Sequence, residues 1–238
     1  MPPTWLTIIA WVSIAADLVS AAAIVYDIYG RGLRQPMRVM EVVWPITALY
    51  LGPLGLLVYA RIGRPRRLPV TNQPAGDREP EWHGVFISAS HCGAGCAIGD
   101  LIGEWLVFTV ALTIAGVALW PEYLIDFALA YVFGLFFQYL AIKPMSDLPT
   151  RRVISDTIKS ETLSIIAFEL GMFAWMALVY LVFFTRPHLS TDHAAYWLMM
   201  QIAAAIGLAT SYPVNVWLVR HGVKDAMERP TMPATASA

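Results

Sequence analysis

Charge is what this sequence has least of. Only 14% of its 238 residues are Asp, Glu, Lys or Arg, against about 25% in ordinary soluble domains. That leaves too few solvated side chains to cover a water-facing surface, while 58% of the residues are hydrophobic. The formal net charge is −1, so no bulk basic field exists and nucleic acid is excluded as a partner. Cysteine is scarce: the two present, Cys92 and Cys96, are too close in sequence for a disulfide framework to stabilise much. A G-x-S-x-G elbow, a P-loop, an HExxH helix and a dinucleotide fingerprint are all missing. A basic N-terminal region is missing too. The first apolar run is long and contains Asp17, so it reads as a retained span rather than a cleaved signal.

What is present is a series of apolar runs. Six of them, about 4–29, 39–61, 85–117, 121–143, 160–184 and 194–219, approach or exceed the roughly 20 residues that cross a bilayer as helix. Unpaired backbone groups in lipid cost several kcal/mol each, so only helices suit such runs. The expected fold is therefore an all-α polytopic membrane bundle of about six transmembrane helices, with the lipid bilayer as its solvent. The basic residues of the short loops set its orientation. With a cytoplasmic N-terminus the inner side holds Arg61, Arg64, Arg66, Arg67, Arg78, Lys143, Arg151, Arg152, Lys159, Arg220, Lys224 and Arg229. The outer side holds Arg31, Arg34, Arg38 and Arg186. Twelve against four predicts both termini in the cytoplasm.

The segment RIGRPRRLPVTNQPAGDREPEW, rich in Pro and Arg, reads as an exposed cytoplasmic loop. It divides the chain into a two-helix hairpin at 1–62, a linker at 63–83, a four-helix transmembrane core at 84–222 and a disordered tail at 223–238. Proline and glycine interrupt the second run, in WPITALYLGPLG, and Pro213 interrupts the last. Each Pro frees a carbonyl one turn back and can kink its helix.

The third run opens with SASHCGAGCAIGDLIGEW. On a helix, residues four apart lie nearly above one another. His91, Gly95, Gly99 and Gly103 form one such row, and Cys92, Cys96, Asp100 and Glu104 the next. The glycines admit a close neighbouring helix, which would press the polar row into the bundle interior. Cβ atoms of residues four apart lie roughly 6 Å from each other, so two thiolates can bridge one soft ion, copper or zinc. The expected metal ligands are His91, Cys92 and Cys96. Asp100 and Glu104, with Glu161 and Glu169 from the fifth run, are the expected relay or second-site residues. An ionisable group inside the bilayer is expensive and is a functional candidate for that reason. Against this, buried cysteines often only fill space. Asp27, Glu41, Glu122 and Asp126 are expected near the outer face in water, and Asp17 in mid-span.

The segments HCGAGCAIGDLIGEW, ETLSIIAFELGMFAWM and MMQIAAAIGLATSYPVNVWLV resemble an uncharacterised bacterial integral membrane family, a domain of unknown function (DUF4396), over about 84–220. The resemblance implies a four-helix membrane core and no established activity. The functional expectation is an inner-membrane protein that binds or transports copper or zinc, with a metal ion as partner and homo-oligomers allowed. Its alternatives are a membrane thiol oxidoreductase and a non-catalytic structural or assembly subunit.

Overall fold

A computed structural model describes residues 2–67, 81–145, 149–224 and 231–232. Most of the expected linker, most of the expected tail, Arg78 and Arg229 lie outside those residues. Helix α1 is Thr4–Val25, prolonged by a wide turn to Gly30. Helix α2 is Met40–Leu51, and α3 is Pro53–Val58, prolonged to Gly63. Then follow α4 (Glu81–Val110), α5 (Leu119–Ile142), α6 (Thr150–Leu178, prolonged to Phe183) and α7 (Ala194–Arg220). A two-residue parallel pairing joins Arg66–Arg67 to Thr231–Met232.

Five helices, α1, α4, α5, α6 and α7, are apolar enough to cross a bilayer and span 24–34 residues each with their extensions. At about 1.5 Å per residue even the shortest exceeds the ~30 Å hydrocarbon core. They are not equivalent. In α4, 72% of the most apolar window is buried inside the bundle, against 28–39% in the other four. So α4 is the central helix: α5, α6, α7 and α2 pack on it, and α1 packs on α2, α3 and α7. Their outward faces carry Trp5, Trp11, Val12, Leu124, Val132, Leu170 and Leu181, all exposed. Such a surface is stable only against acyl chains.

The expected glycine groove holds α5. A Cβ on Gly95 would strike the Gly134 backbone, one on Gly99 the Ala130 backbone, and one on Gly103 Asp126 Oδ1. Lipid supplies no hydrophobic drive between apolar helices, so close backbone approach and dispersion hold them together. On the opposite pair, Gly171 of α6 admits Thr210 of α7, whose Oγ1 donates to the Ala167 carbonyl at 2.8 Å.

The second apolar run departs from expectation. It does not cross. At Gly52 the backbone takes φ +57° and ψ −132°, a conformation open to glycine, and Pro53 restarts the helix in the reverse direction. Helices α2 and α3 then lie antiparallel. Gly55 packs on Ala48, Gly63 on the Trp44 indole, and Trp44 meets Tyr59 edge-on at 5.7 Å. Each arm is 11–12 residues, about 18 Å at most, which is little over half a bilayer. Both arms start and finish at one end of the bundle. There Arg64 pairs with Asp27 at the end of α1 (2.8 Å), and Tyr59 Oη donates to the same carboxylate (3.1 Å). Arg34 grips Glu41 through Nε (2.6 Å) and Nη2 (2.7 Å). Asp27 and Glu41 are thus buried in ion pairs, not free in water as expected.

The hairpin changes the topology. Five helices are long and apolar enough to cross a bilayer, α2 and α3 are shorter arms of one hairpin, and the start of α1 and the finish of α7 lie at opposite ends of the bundle. The third run also ends early, at Val110, where Ala111 takes a positive φ and a tight Ile114–Val117 turn follows.

Candidate functional site

Helix α4 carries its polar row inward. Cys92 and Cys96 are 0% exposed, Asp100 2% and Glu104 3%. From Cys92 to Glu104 the row covers about 18 Å at 1.5 Å per residue, more than half the hydrocarbon thickness. Each station meets groups from other helices. Tyr50, near the tip of the α2–α3 hairpin, brings its hydroxyl to Gly93 and the two thiols. Glu169 of α6 faces Cys96. Asp100 lies within electrostatic reach of Glu169, Asp126 and Glu104. Glu104 faces Asp126 of α5 and Tyr196 of α7, with Glu122 beyond them.

Among the described residues, several of these groups lack a hydrogen-bond partner of good geometry. They are both oxygens of Asp100 and of Glu169, Asp126 Oδ1, Glu104 Oε2, and the hydroxyls of Tyr50 and Tyr196. The charged neighbours acting on Asp100 and Asp126 are all other carboxylates. Ionising several of them together is forbidden energetically. Two unit charges ~4 Å apart repel by about 4 kcal/mol even at an effective dielectric of ~20, and each desolvated ion costs several kcal/mol more.

The expected His91, Cys92 and Cys96 trio is not assembled. One residue along a helix is a 100° rotation, and His91 turns away from the thiols. Its Nε2 meets Met40 Sδ of α2 at 2.6 Å, while Nδ1 has no partner among the described residues. The two thiols lie side by side and unbridged. Among the described residues, no three His, Cys, Asp or Glu side chains converge closely enough to hold a metal ion.

Glu161, the remaining expected relay residue, is not part of the acid row. It sits at the other end of α4, fully buried, where Lys224 Nζ pairs with it at 2.6 Å. Lys224 also donates to Asn215 Oδ1 (2.8 Å), and Asn215 Nδ2 donates to Ser164 Oγ (2.7 Å). The lysine reaches inward because Gly222, at φ +67°, turns the chain back after α7. The Val223 N–H then caps the Leu218 carbonyl at 3.0 Å.

Sequence reasoning missed Asp126, Tyr50, Tyr196 and Lys224. Asp126 was expected in water and is 1% exposed. A signal for it exists: Asp126, Ala130 and Gly134 form a four-residue row on α5 that mirrors Gly103, Gly99 and Gly95. A helix pair meeting along small residues carries any acid on that seam into the interior. Gly222 two residues before a lysine was the corresponding signal for Lys224.

Five apolar crossings around an acid-lined central helix define a multi-pass membrane protein. Within that class, the chain belongs to the family described as a domain of unknown function (DUF4396), whose model matches residues 81–224. The match takes in α4–α7, both polar clusters and Lys224, and leaves α1 and the hairpin outside. No curated protein and no solved structure gives a significant match to the chain.

Proposed function

We propose that this protein carries protons through its bundle along the carboxyl groups of Glu169, Asp100, Asp126 and Glu104. One observation carries the reading: these acids are buried together, with only other acids acting electrostatically on Asp100 and Asp126. A row that cannot ionise as a whole passes a proton along when one is added at one end and removed at the other. Glu122, half-buried beyond Glu104, connects the row to one end of the bundle. Tyr50 and the thiols continue it toward the other. The Glu161–Lys224 pair stands at that second end and keeps its charge balanced.

The orientation reading follows from the same geometry. Arg31, Arg34, Arg38, Arg61, Arg64, Arg66, Arg67, Lys143, Arg151, Arg152, Lys159, Arg220 and Lys224 belong to the hairpin end, and Arg186 to the other. Thirteen against one is a stronger bias than twelve against four, and supports a cytoplasmic hairpin end in a bacterial inner membrane.

The test is proton flux in vesicles. Purified protein is reconstituted with a trapped pH dye, and a potassium diffusion potential is imposed with valinomycin. Dye response well above that of empty vesicles, lost in Asp100→Asn and in Glu104→Gln, is the expected result. Equal responses in wild type and empty vesicles refute the proposal.

The thiol pair supports a second reading, a soft-metal site for copper or zinc. Cys92 and Cys96 are buried, unbridged and adjacent, which offers two thiolate donors to one soft ion. Metal analysis after copper or zinc loading tests it: substoichiometric metal, unchanged by Cys92→Ser, removes this reading and leaves the first intact.

A further inference from the structure

A cleft of about 270 Å³ opens between α5 and α6, and no residue of the acid row lines it. Its walls include Val132, Phe136 and Tyr139 of α5 and Thr150, Ile154 and Ile158 of α6. Val132 and Phe136 are 61% and 52% exposed, and Ile154 and Ile158 46% and 40%, so the cleft lies on the outward, lipid-facing side. One end is bridged: Tyr131 Oη and Thr162 Oγ1 meet at 2.9 Å, one residue beyond Val132 and one turn beyond Ile158. The other end opens at the hairpin end of the bundle, where both walls run on to cations. On α6, Arg151, Ile154 and Ile158 are spaced i, i+3 and i+7, which is one stripe of a helix. On α5, Lys143 follows Phe136 by seven residues and Tyr139 by four, and so continues the other wall.

The two parts of the cleft call for different chemistry. From Thr150 to Ile158 the trough runs about 12 Å at 1.5 Å per residue and offers hydrocarbon contact. At its mouth Arg151 is exposed and pairs with no acid among the described residues. Arg152 is rotated a further 100° round α6, stands off the cleft and pairs with Asp156 at 3.4 Å. Lys143 has another contact and adds charge at the mouth. A free anion gains nothing from the trough, and an apolar molecule gains nothing from the arginine. A phospholipid carries both parts, and a guanidinium forks onto phosphate with two parallel hydrogen bonds. The charge balance favours an anionic headgroup: over positions 143–159, Lys143, Arg151, Arg152 and Lys159 outnumber Asp147 and Asp156. Basic sites between helices at the cytoplasmic face select such headgroups. We propose that the α5–α6 cleft binds one anionic phospholipid, with an acyl chain between Val132, Phe136, Ile154 and Ile158 and its phosphate on Arg151. This site stands whether or not the acid row carries protons.

The experiment is native mass spectrometry of the purified full chain in a neutral detergent, titrated with phosphatidylglycerol and with phosphatidylcholine of the same acyl chains. Wild type is expected to bind one phosphatidylglycerol per chain at a lower concentration than phosphatidylcholine. Arg151→Gln should raise the phosphatidylglycerol Kd about fivefold and leave the phosphatidylcholine Kd unchanged. Arg152→Gln, one position away and off the cleft, should have the smaller effect. Ile154→Trp fills the trough and should weaken both lipids; should that variant not fold, Val132→Trp on the opposite wall replaces it. Equal affinity of wild type for the two lipids overturns the proposal, as does an equal loss in Arg151→Gln and Arg152→Gln, which would mean diffuse charge attraction. Phosphatidylglycerol binding untouched by a tryptophan in the trough overturns it as well. A lipid-free dimer abolished by that tryptophan would give the cleft to a second copy of the chain, and overturns it too.

Discussion

Removing Lys224 should harm this protein more than removing Glu161, although the two form one ion pair. The pair is desolvated: the side chains are 1% and 0% exposed, with Nζ and Oε1 at 2.6 Å. Breaking a buried pair by deleting one partner costs about 3–5 kcal/mol, because the survivor is left uncompensated. The survivors here have different escapes. After Glu161→Gln, Lys224 sits beyond Gly222 on the final turn, where its long side chain can swing back to water. After Lys224→Met, Glu161 stays fixed on the inward face of α6 between Ser160 and Ser164, both buried, and has lost its counter-charge. The expected cost is therefore near the top of that range for Lys224→Met and near the bottom for Glu161→Gln. The double variant Glu161→Gln/Lys224→Met should recover most of the loss, since replacing a whole buried pair is often close to neutral. Denaturation of the four proteins in one detergent closes the cycle. Single costs that add in the double variant, within ~0.5 kcal/mol, would mean the two groups do not interact, and the packed inner end described above would be wrong.

The extent to which the sequence disclosed this arrangement differs by feature, for physical reasons. The crossings α1, α4, α5, α6 and α7 were legible because hydrocarbon tolerates few alternatives to a long apolar helix. The inward turn of Cys92, Cys96, Asp100 and Glu104 was legible because one helix fixes the angle between the glycine row and the polar row. What faced that row was not, since Glu169, Asp126 and Tyr196 come from three other helices whose rotations no local pattern sets. Asp126 was misplaced in water because distance from the end of a run measures depth and says nothing of which face a residue occupies. The His91, Cys92 and Cys96 grouping failed on the same angle: neighbours in sequence diverge on a helix. The hairpin was hidden in plain view at Gly52-Pro53. A proline in a membrane helix more often kinks than reverses it, and summed hydropathy is equal for a crossing and for two half-crossings.

Three further outcomes follow from the packing. Gly99→Leu drives a side chain into the Ala130 backbone, where neither helix can yield, so folded protein should be absent after detergent extraction, whereas Cys92→Ala/Cys96→Ala should extract and run as wild type by size-exclusion chromatography. Gly52→Ala imposes a Cβ on a glycine-only conformation and on Asp17, and its unfolding midpoint should fall by several degrees, more than for Ala at the open Gly32. The last outcome decides the topology. Arg38 and Arg61 are exposed residues just before and near the end of the hairpin, and the two native thiols are buried. A crossing helix would put positions 38 and 61 on opposite faces of the membrane; a re-entrant hairpin puts them on the same one. In sealed, inside-out vesicles, a membrane-impermeant maleimide should therefore label Arg38→Cys and Arg61→Cys alike, and should leave a cysteine at Arg186 unlabelled until the vesicles are opened. Labelling of Arg61→Cys without Arg38→Cys would restore the sixth crossing, return both ends of the bundle to one side, and remove the helix break from the middle of the membrane.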